Sequence, residues 1–202
     1  MEKYTGVKFK CRKISDKFPF DSKVDDLNYW AWILSQTGLT PVHPTGAYGN
    51  MSFRFQGNTF VITRTGMIPE SGYRPENFVL VESFDSMENI CCYRGCCPPS
   101  SECFLHDAIY RSFQSAGAVL HGHSALMNEK AEELGIPVTV EFQDYGTREL
   151  AESALEIISM ENPVIILKDH GFVAIGNTIE AAGGVILRKY RELLRLLEDG
   201  RS

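Results

Sequence analysis

Two rhythms of apolar and polar positions divide the chain. The helical rhythm, with apolar residues three and four apart, runs through residues 21–37, where Val24, Leu27, Trp30, Ile33 and Leu34 form one stripe. Asp21 or Ser22 supplies its cap and Gly38 its stop. The same rhythm predicts a helix capped by Ser100 or Ser101 and running to about Ser115, with Leu105, Ala108, Ile109 and Phe113 facing inward. It predicts a short helix over residues 128–134 closed by Gly135, and a helix capped by Thr147 that runs to about Ser159. A last helix begins at Thr178 and includes Ile179, Ala182, Val185, Ile186, Tyr190, Leu193, Leu194 and Leu197. The strand rhythm fills the intervals. Residues 51–55 alternate, turn at Gln56-Gly57-Asn58 and return as residues 59–63, a hairpin signal. Short apolar runs at 78–81, 90–93, 118–120, 164–167 and 172–176 read as further strands, and 137–142 reads as extended. Strands interleaved with helices, hairpins included, give a mixed, layered α/β domain.

Composition narrows the picture. At 202 residues the chain is long enough for one domain with a proper core and short for two. It is read as a single domain over 1–202, with residues 1–22 as an N-terminal arm. That arm carries Lys8, Lys10, Arg12 and Lys13 without a clear period, as a solvated face or a contact on a neighbouring subunit would. No run approaches the ~18 apolar residues of a membrane span, and the first residues lack a signal peptide's apolar stretch, so a cytoplasmic protein is expected. A formal net charge of -6 speaks against a general nucleic-acid binder. It leaves room for an anionic small substrate, because a metal and backbone N–H groups supply local positive potential.

Cys91, Cys92, Cys96 and Cys97 form two doublets. Adjacent strand residues face opposite ways, so four sulfurs do not readily converge on a metal. They read as reduced thiols in a hairpin of small apolar side chains. Cys97 leads directly into the Pro98-Pro99-Ser100-Ser101-Glu102 turn.

Candidate chemistry gathers where apolar runs end. Ala118-Val119-Leu120 delivers His121 and His123, one residue apart. Side chains at i and i+2 of a strand share a face, so both can reach one metal ion, and Gly122 adds no bulk between them. Residues 164–167 lead to His170-Gly171, and Glu102 opens a helix. Three imidazoles and a carboxylate are the N and O donors of a zinc-type site. Singly, a histidine behind an apolar run is more often a hydrogen-bonded, half-buried residue than a ligand. The constellation with an acidic helix start is what carries the metal reading. His106, one helical turn after Glu102, is either a partner behind the site or a surface cap. His43 reads as structural.

Three turns, at Gly49-Asn50, Thr65-Gly66 and Ser100-Ser101, combine hydroxyl, amide or glycine groups. Turns and helix starts of this kind present N–H groups that bind phosphate, although each alone is ordinary turn chemistry.

The motifs in their order resemble the class II aldolase/adducin family, nearest its fuculose-1-phosphate aldolase branch, over roughly residues 24–190. They are Thr45-x-x-x-Gly49-Asn50-Met51-Ser52-x-Arg54, Ile62-Thr63-x-Thr65-Gly66-Met67, Pro99-Ser100-Ser101-Glu102-x-x-x-His106, His121-x-His123-Ser124, Tyr145-Gly146-Thr147-x-Glu149-Leu150 and His170-Gly171. The resemblance implies a three-layer α/β/α domain around a mostly antiparallel sheet. It implies one Zn2+ per chain, held by His121, His123 and His170. Glu102 would be metal neighbour and acid/base, with phosphate among Gly49, Asn50, Thr65, Gly66, Ser100 and Ser101. The implied reaction is cleavage of a ketose 1-phosphate to dihydroxyacetone phosphate and an aldehyde, in a homo-oligomer, usually a tetramer. Dehydratases of the methylthioribulose-1-phosphate type, 4-epimerases and non-catalytic adducin-like modules resemble the same framework and stand as alternatives. The aldehyde-side tyrosine of the family has no counterpart between His123 and Tyr145, nor does its C-terminal tyrosine segment. Tyr145, Tyr48 or a neighbouring subunit's residue stands in its place.

Overall fold

Alternation along the central strands sends side chains to two faces of one sheet, and each face is closed by its own helices. A computed structural model describes residues 6–17 and 21–199. The elements are β1 (Lys10–Ser15), α1 (Lys23–Gln36), β2 (Val42–His43), β3 (Gly46–Ala47), β4 (Gly49–Gln56), β5 (Thr59–Thr63), β6 (Phe78–Asp85), β7 (Ile90–Arg94), α2 (Cys103–Ser112), β8 (Ala118–Gly122), α3 (Ala125–Glu129), α4 (Arg148–Ile157), β9 (Val164–Leu167), β10 (Gly171–Gly176) and α5 (Ile179–Asp199). Eight strands form one sheet in the order β1-β7-β6-β5-β4-β8-β10-β9, and β2 pairs with β3 alone. Every neighbouring pair of the large sheet is antiparallel except β1–β7, which is parallel. The expected three-layer α/β/α domain with a mostly antiparallel sheet is therefore present.

Strand β8 shows the sorting. Ala118 and Leu120 enter the cluster of Met51, Phe53, Ile166 and Phe172, which α1 and α5 cover through Leu27, Leu34, Ala182 and Ile186. Val119 enters the opposite cluster with Ile62, Ile165 and Val173, covered by Leu105 and Ile109 of α2 and by Leu150 and Ala154 of α4. Each fully buried Leu or Ile adds about 1.5–3 kcal/mol of apolar transfer, so both faces stabilise the sheet. His121 continues the Val119 side, and at this end of the strand the apolar core gives way to polar groups.

The structure departs from the sequence reading in four places. Residues 10–15 form a strand, where an arm without period was expected. All but Ser15 in this strand are exposed. It pairs through its backbone at the sheet edge, so no apolar alternation announces it, and lysines on an edge oppose further pairing. The rest of the predicted arm, residues 1–5 and 18–20, lies outside the described residues. The short helix expected over 128–134 instead occupies Ala125–Glu129, because Ser124 caps it by accepting from Met127 N at 3.3 Å. Extension over 137–142 is limited to one bridge, Val138 to Ile166. Thr147 caps α4 as expected, accepting from Leu150 N at 3.3 Å. In α2 the N-cap position falls to Glu102, and Ser100 Oγ accepts the Glu102 N–H at 3.4 Å. No helix among the described residues is long and apolar enough to cross a membrane.

Candidate metal and substrate site

Four segments far apart in sequence meet at one end of β8. His121 is the penultimate residue of β8, and His123 follows the strand, held by its N–H on Leu39 O at 2.8 Å. His170 sits in the β9–β10 turn, where its N–H meets Leu167 O at 3.0 Å after Asp169 takes a left-handed backbone conformation (φ 56°). Glu102 stands at the start of α2. One ligand atom from each of Glu102, His121, His123 and His170 lies within 4.8 Å of the other three. Glu102 Oε2 is 3.0 Å from His121 Nε2, Glu102 Oε1 is 3.2 Å from His170 Nε2, and the Nε2 atoms of His121 and His123 are 3.1 Å apart.

These residues fit a divalent cation. His121 Nδ1 lies 2.8 Å from the Phe172 carbonyl, which can only accept. Nδ1 therefore carries the proton, and the Nε2 lone pair faces the cluster, the tautomer a metal ligand needs. Burial pushes the His123 pKa down to about 3, helped by neighbouring His121 and His170, so this imidazole is neutral at physiological pH. Burial would raise the Glu102 carboxyl, but the charge and hydrogen bonds of His121 and His170 in their protonated forms, a part that a bound cation takes in their place, outweigh it and hold the group well below the usual carboxylate range. Three imidazole nitrogens and one carboxylate oxygen suit zinc and similar ions.

In front of the cluster is a cleft lined by Gly49, Asn50, Thr65, Gly66, Ser100, Ser101, Glu102, His123 and His170, among others. Backbone pairing joins its turns. Arg64 bridges Pro99, Thr65 N–H meets Pro98 O at 3.1 Å, and Ser100 N–H meets Thr63 O at 3.1 Å. Gly66 adopts φ 63°, which favours glycine. The sequence-predicted site residues are thus brought together, with His121 fully buried behind the cleft and the others lining it.

Further side chains gather around the cleft, of which Arg64 was not singled out in the sequence. His43, read as structural, lines the cleft and stacks on Tyr48 with ring centroids 4.4 Å apart; Tyr48 in turn lies 5.5 Å from the His123 ring. Tyr145 lines the cleft with its hydroxyl donating to Gly6 O at 3.0 Å. Arg64 lines it as well, with its Nη1 donating to Thr65 O at 2.9 Å and Gly66 O at 3.1 Å. The Asn50 side chain turns to Glu102, with Nδ2 donating to Oε2 at 2.7 Å. His106 is fully buried behind Asn50, not a surface cap, with its Nε2 2.7 Å from Asn50 Oδ1. Burial lowers its pKa to about 3, outweighing the nearby Glu102 charge. Arg54 of the Gly-Asn motif donates to the carbonyls of Tyr110, Phe113 and Ala116, closing the C-terminal end of α2. The cysteine doublets lie outside the cleft lining.

The chain belongs to the family described as Class II Aldolase and Adducin N-terminal domain, whose profile matches residues 34–187. It is 32% identical over 151 residues to an L-fuculose phosphate aldolase of Methanococcus maripaludis, covering 68% of this chain and 77% of that protein. The corresponding protein of Methanococcus vannielii is 34% identical over the same length, with the same shares of the two chains. Among solved structures, a sugar-phosphate aldolase from Thermotoga maritima superposes with TM-score 0.69 at 20% identity, covering 89% of this chain and 97% of that one. The L-fuculose-1-phosphate aldolase from Thermus thermophilus gives TM-score 0.68 at 22% identity, with coverage of 89% and 95%. These likenesses carry the fold. The family match and the curated relatives make the protein an aldolase-class enzyme with a cluster able to hold a metal.

Proposed function

We propose that this protein is a zinc-dependent aldolase that cleaves a ketose 1-phosphate of the fuculose 1-phosphate type into dihydroxyacetone phosphate and an aldehyde. The observation that carries this reading is the contact of one buried carboxylate with the histidine cluster, 3.0 Å to His121 and 3.2 Å to His170. His121, His123 and His170 would hold the zinc, with Glu102 beside it. Zinc bound there would supply a Lewis acid that draws electron density from the substrate.

The chain's own groups do the rest. The turns bearing Gly49, Thr65, Gly66, Ser100 and Ser101 anchor the phosphate, so the reacting carbon is fixed against the carboxylate. In the direction of condensation, ionised Glu102 removes a proton from the hydroxymethyl carbon of dihydroxyacetone phosphate. The electron pair left on that carbon forms the new bond to the aldehyde carbon, the aldehyde's C=O π pair moves onto its oxygen, and that oxygen takes a proton from a donor on the aldehyde side. Cleavage reverses these steps, and Glu102 returns the proton as the aldehyde leaves. Tyr48, half-buried in the cleft beside His123, is placed to meet the aldehyde half. By resemblance the working unit is a homotetramer, which light scattering would test.

The deciding experiment measures metal content and dihydroxyacetone phosphate release from fuculose, rhamnulose and related 1-phosphates on one preparation. Near one zinc per chain with release, lost on Glu102→Gln, is the expected result. Zinc with loss of water from the intact carbon chain would transfer the site to a dehydratase, and an isomer of unchanged mass to an epimerase. A protein that takes up no divalent metal would end the reading.

A further inference from the structure

Behind Glu102 runs a line of polar side chains with almost no access to solvent. Asn50 Nδ2 is 2.7 Å from Glu102 Oε2, and Asn50 Oδ1 is 2.7 Å from His106 Nε2. His106 Nδ1 is 2.6 Å from Ser52 Oγ, and Ser52 Oγ is 2.8 Å from the Tyr110 hydroxyl. Ser52, His106 and Tyr110 are 0% exposed, and Asn50 and Glu102 6%. In such surroundings a group left without a partner loses its bonds to water with nothing in return, so the protons must be arranged to satisfy all of them.

The hydrogen-bonding capacities allow one direction while Glu102 is ionised and the buried His106 ring is neutral. A carboxylate only accepts, so the amide nitrogen of Asn50 faces it and the amide oxygen faces His106. His106 must then carry its proton on Nε2. Its Nδ1 becomes an acceptor, filled by the Ser52 hydroxyl, and Ser52 accepts in turn from Tyr110. Reversing any one bond sets two acceptors or two donors face to face. Backbone pairing supports the line: Asn50 and Ser52 lie on β4 opposite His121 and Val119 of β8, on the sheet face covered by α2.

We propose that Asn50 and His106 are positioning residues that fix the rotation of the Glu102 carboxylate. Asn50 ties down Oε2, and Oε1 is left on the His170 side as the oxygen that exchanges the substrate proton. The proposal rests on Glu102 being the acid/base, and it assigns the Asn50 amide to the carboxylate rather than to the phosphate. Serine and tyrosine at the far end keep His106 in the tautomer that Asn50 needs.

The test joins a spectroscopic readout to a kinetic one on zinc-loaded protein. In two-bond proton–nitrogen spectra of histidine-labelled protein, with His106 assigned by its loss in His106→Gln, the ring is expected as the Nε2–H tautomer. Asn50→Leu is expected to shift His106 toward Nδ1–H. It should lower kcat by about 10–100-fold, with less than about a threefold change in KM and in inorganic phosphate inhibition, a smaller effect than losing one hydrogen bond to a charged group. His106→Gln keeps a donor toward Asn50 and should retain more activity than His106→Leu. An Nδ1–H or doubly protonated His106 in the unaltered protein would overturn the proposal. So would Asn50→Leu that weakens phosphate while sparing kcat. An Nε2–H ring and unchanged phosphate binding in a protein without aldolase activity would overturn the proposed reaction and leave the hydrogen-bonded line standing.

Discussion

A β-carbon on Gly171 would lie 3.1 Å from His121 Cε1. It would also stand 3.1 Å from His123 Cδ2 and 2.3 Å from the Gly122 carbonyl oxygen. The glycine after His170 is therefore the space over which two of the imidazole rings rest. Gly171→Ala meets backbone as well as side chain, so rotamer changes cannot relieve it. We expect a stability loss of about 1–3 kcal/mol, the usual range for overpacking, together with zinc well below one per chain. Metal analysis and thermal melting check this. A fully loaded, equally stable variant would show that the β9–β10 turn can yield.

Removal of the metal should reveal what it adds to the fold. A ligand that binds only the folded state stabilises it by RT ln(1 + [L]/Kd), about 2.7 kcal/mol at a hundredfold excess over Kd. Chelation is expected to lower the melting temperature of the unaltered protein. His121→Ala and His170→Ala should start low and respond little to chelator. Identical responses in all three proteins would leave the histidines without a metal.

Arg64 is the one Lys or Arg among the described residues that line the cleft. Its Nη1 braces Thr65 and Gly66, and its Nε donates to Asn77 Oδ1 at 3.1 Å. The charge is thus held at the turn that the proposed phosphate would meet. Arg64→Met is expected to weaken inorganic phosphate by about tenfold, or about 1.4 kcal/mol, with Arg64→Lys between the two. Calorimetric titration at fixed salt measures it. Unchanged affinity in the Met variant would reduce Arg64 to a brace.

Acid should destabilise the protein through His106. Its folded pKa is near 3, lowered chiefly by burial, against an ordinary value of 6.5. The unfolded chain therefore binds the proton more tightly. This contribution is complete above pH 6.5 and is lost as pH falls from 6.5 toward 3, with a limiting slope of about 1.4 kcal/mol per pH unit. Between pH 6.5 and 4.5 the unaltered protein should lose about 2 kcal/mol more than His106→Gln, read from urea midpoints. Parallel pH curves would contradict the buried neutral imidazole.

The proposed ligand set was legible because each member is a local signal. His121-x-His123 and His170-Gly171 stand at the ends of apolar runs, and Glu102 opens a helix that the three- and four-residue spacing already outlines. The groups behind them were not legible. Ser52 reaches His106 only after β4 pairs with β8 in one register and α2 packs across that face, and no spacing in the sequence encodes such a contact. Arg64 and His43 enter the cleft through loop geometry. Strand β1 escaped notice for the opposite reason: its side chains bury almost nothing, and its place depends on backbone hydrogen bonds with β7.

The position of β8 has a consequence for the order of assembly. It lies between β4 and β10, so His121 is housed only when strands from both sides are present. At roughly 5–20 residues per second, a ribosome needs several seconds to extend the chain from His121 to β10. Through that interval the strand has one partner and the imidazoles have no common centre. The cluster of Glu102 and the three histidines is thus complete only late in synthesis, once His170 and β10 have followed β8 out of the ribosome.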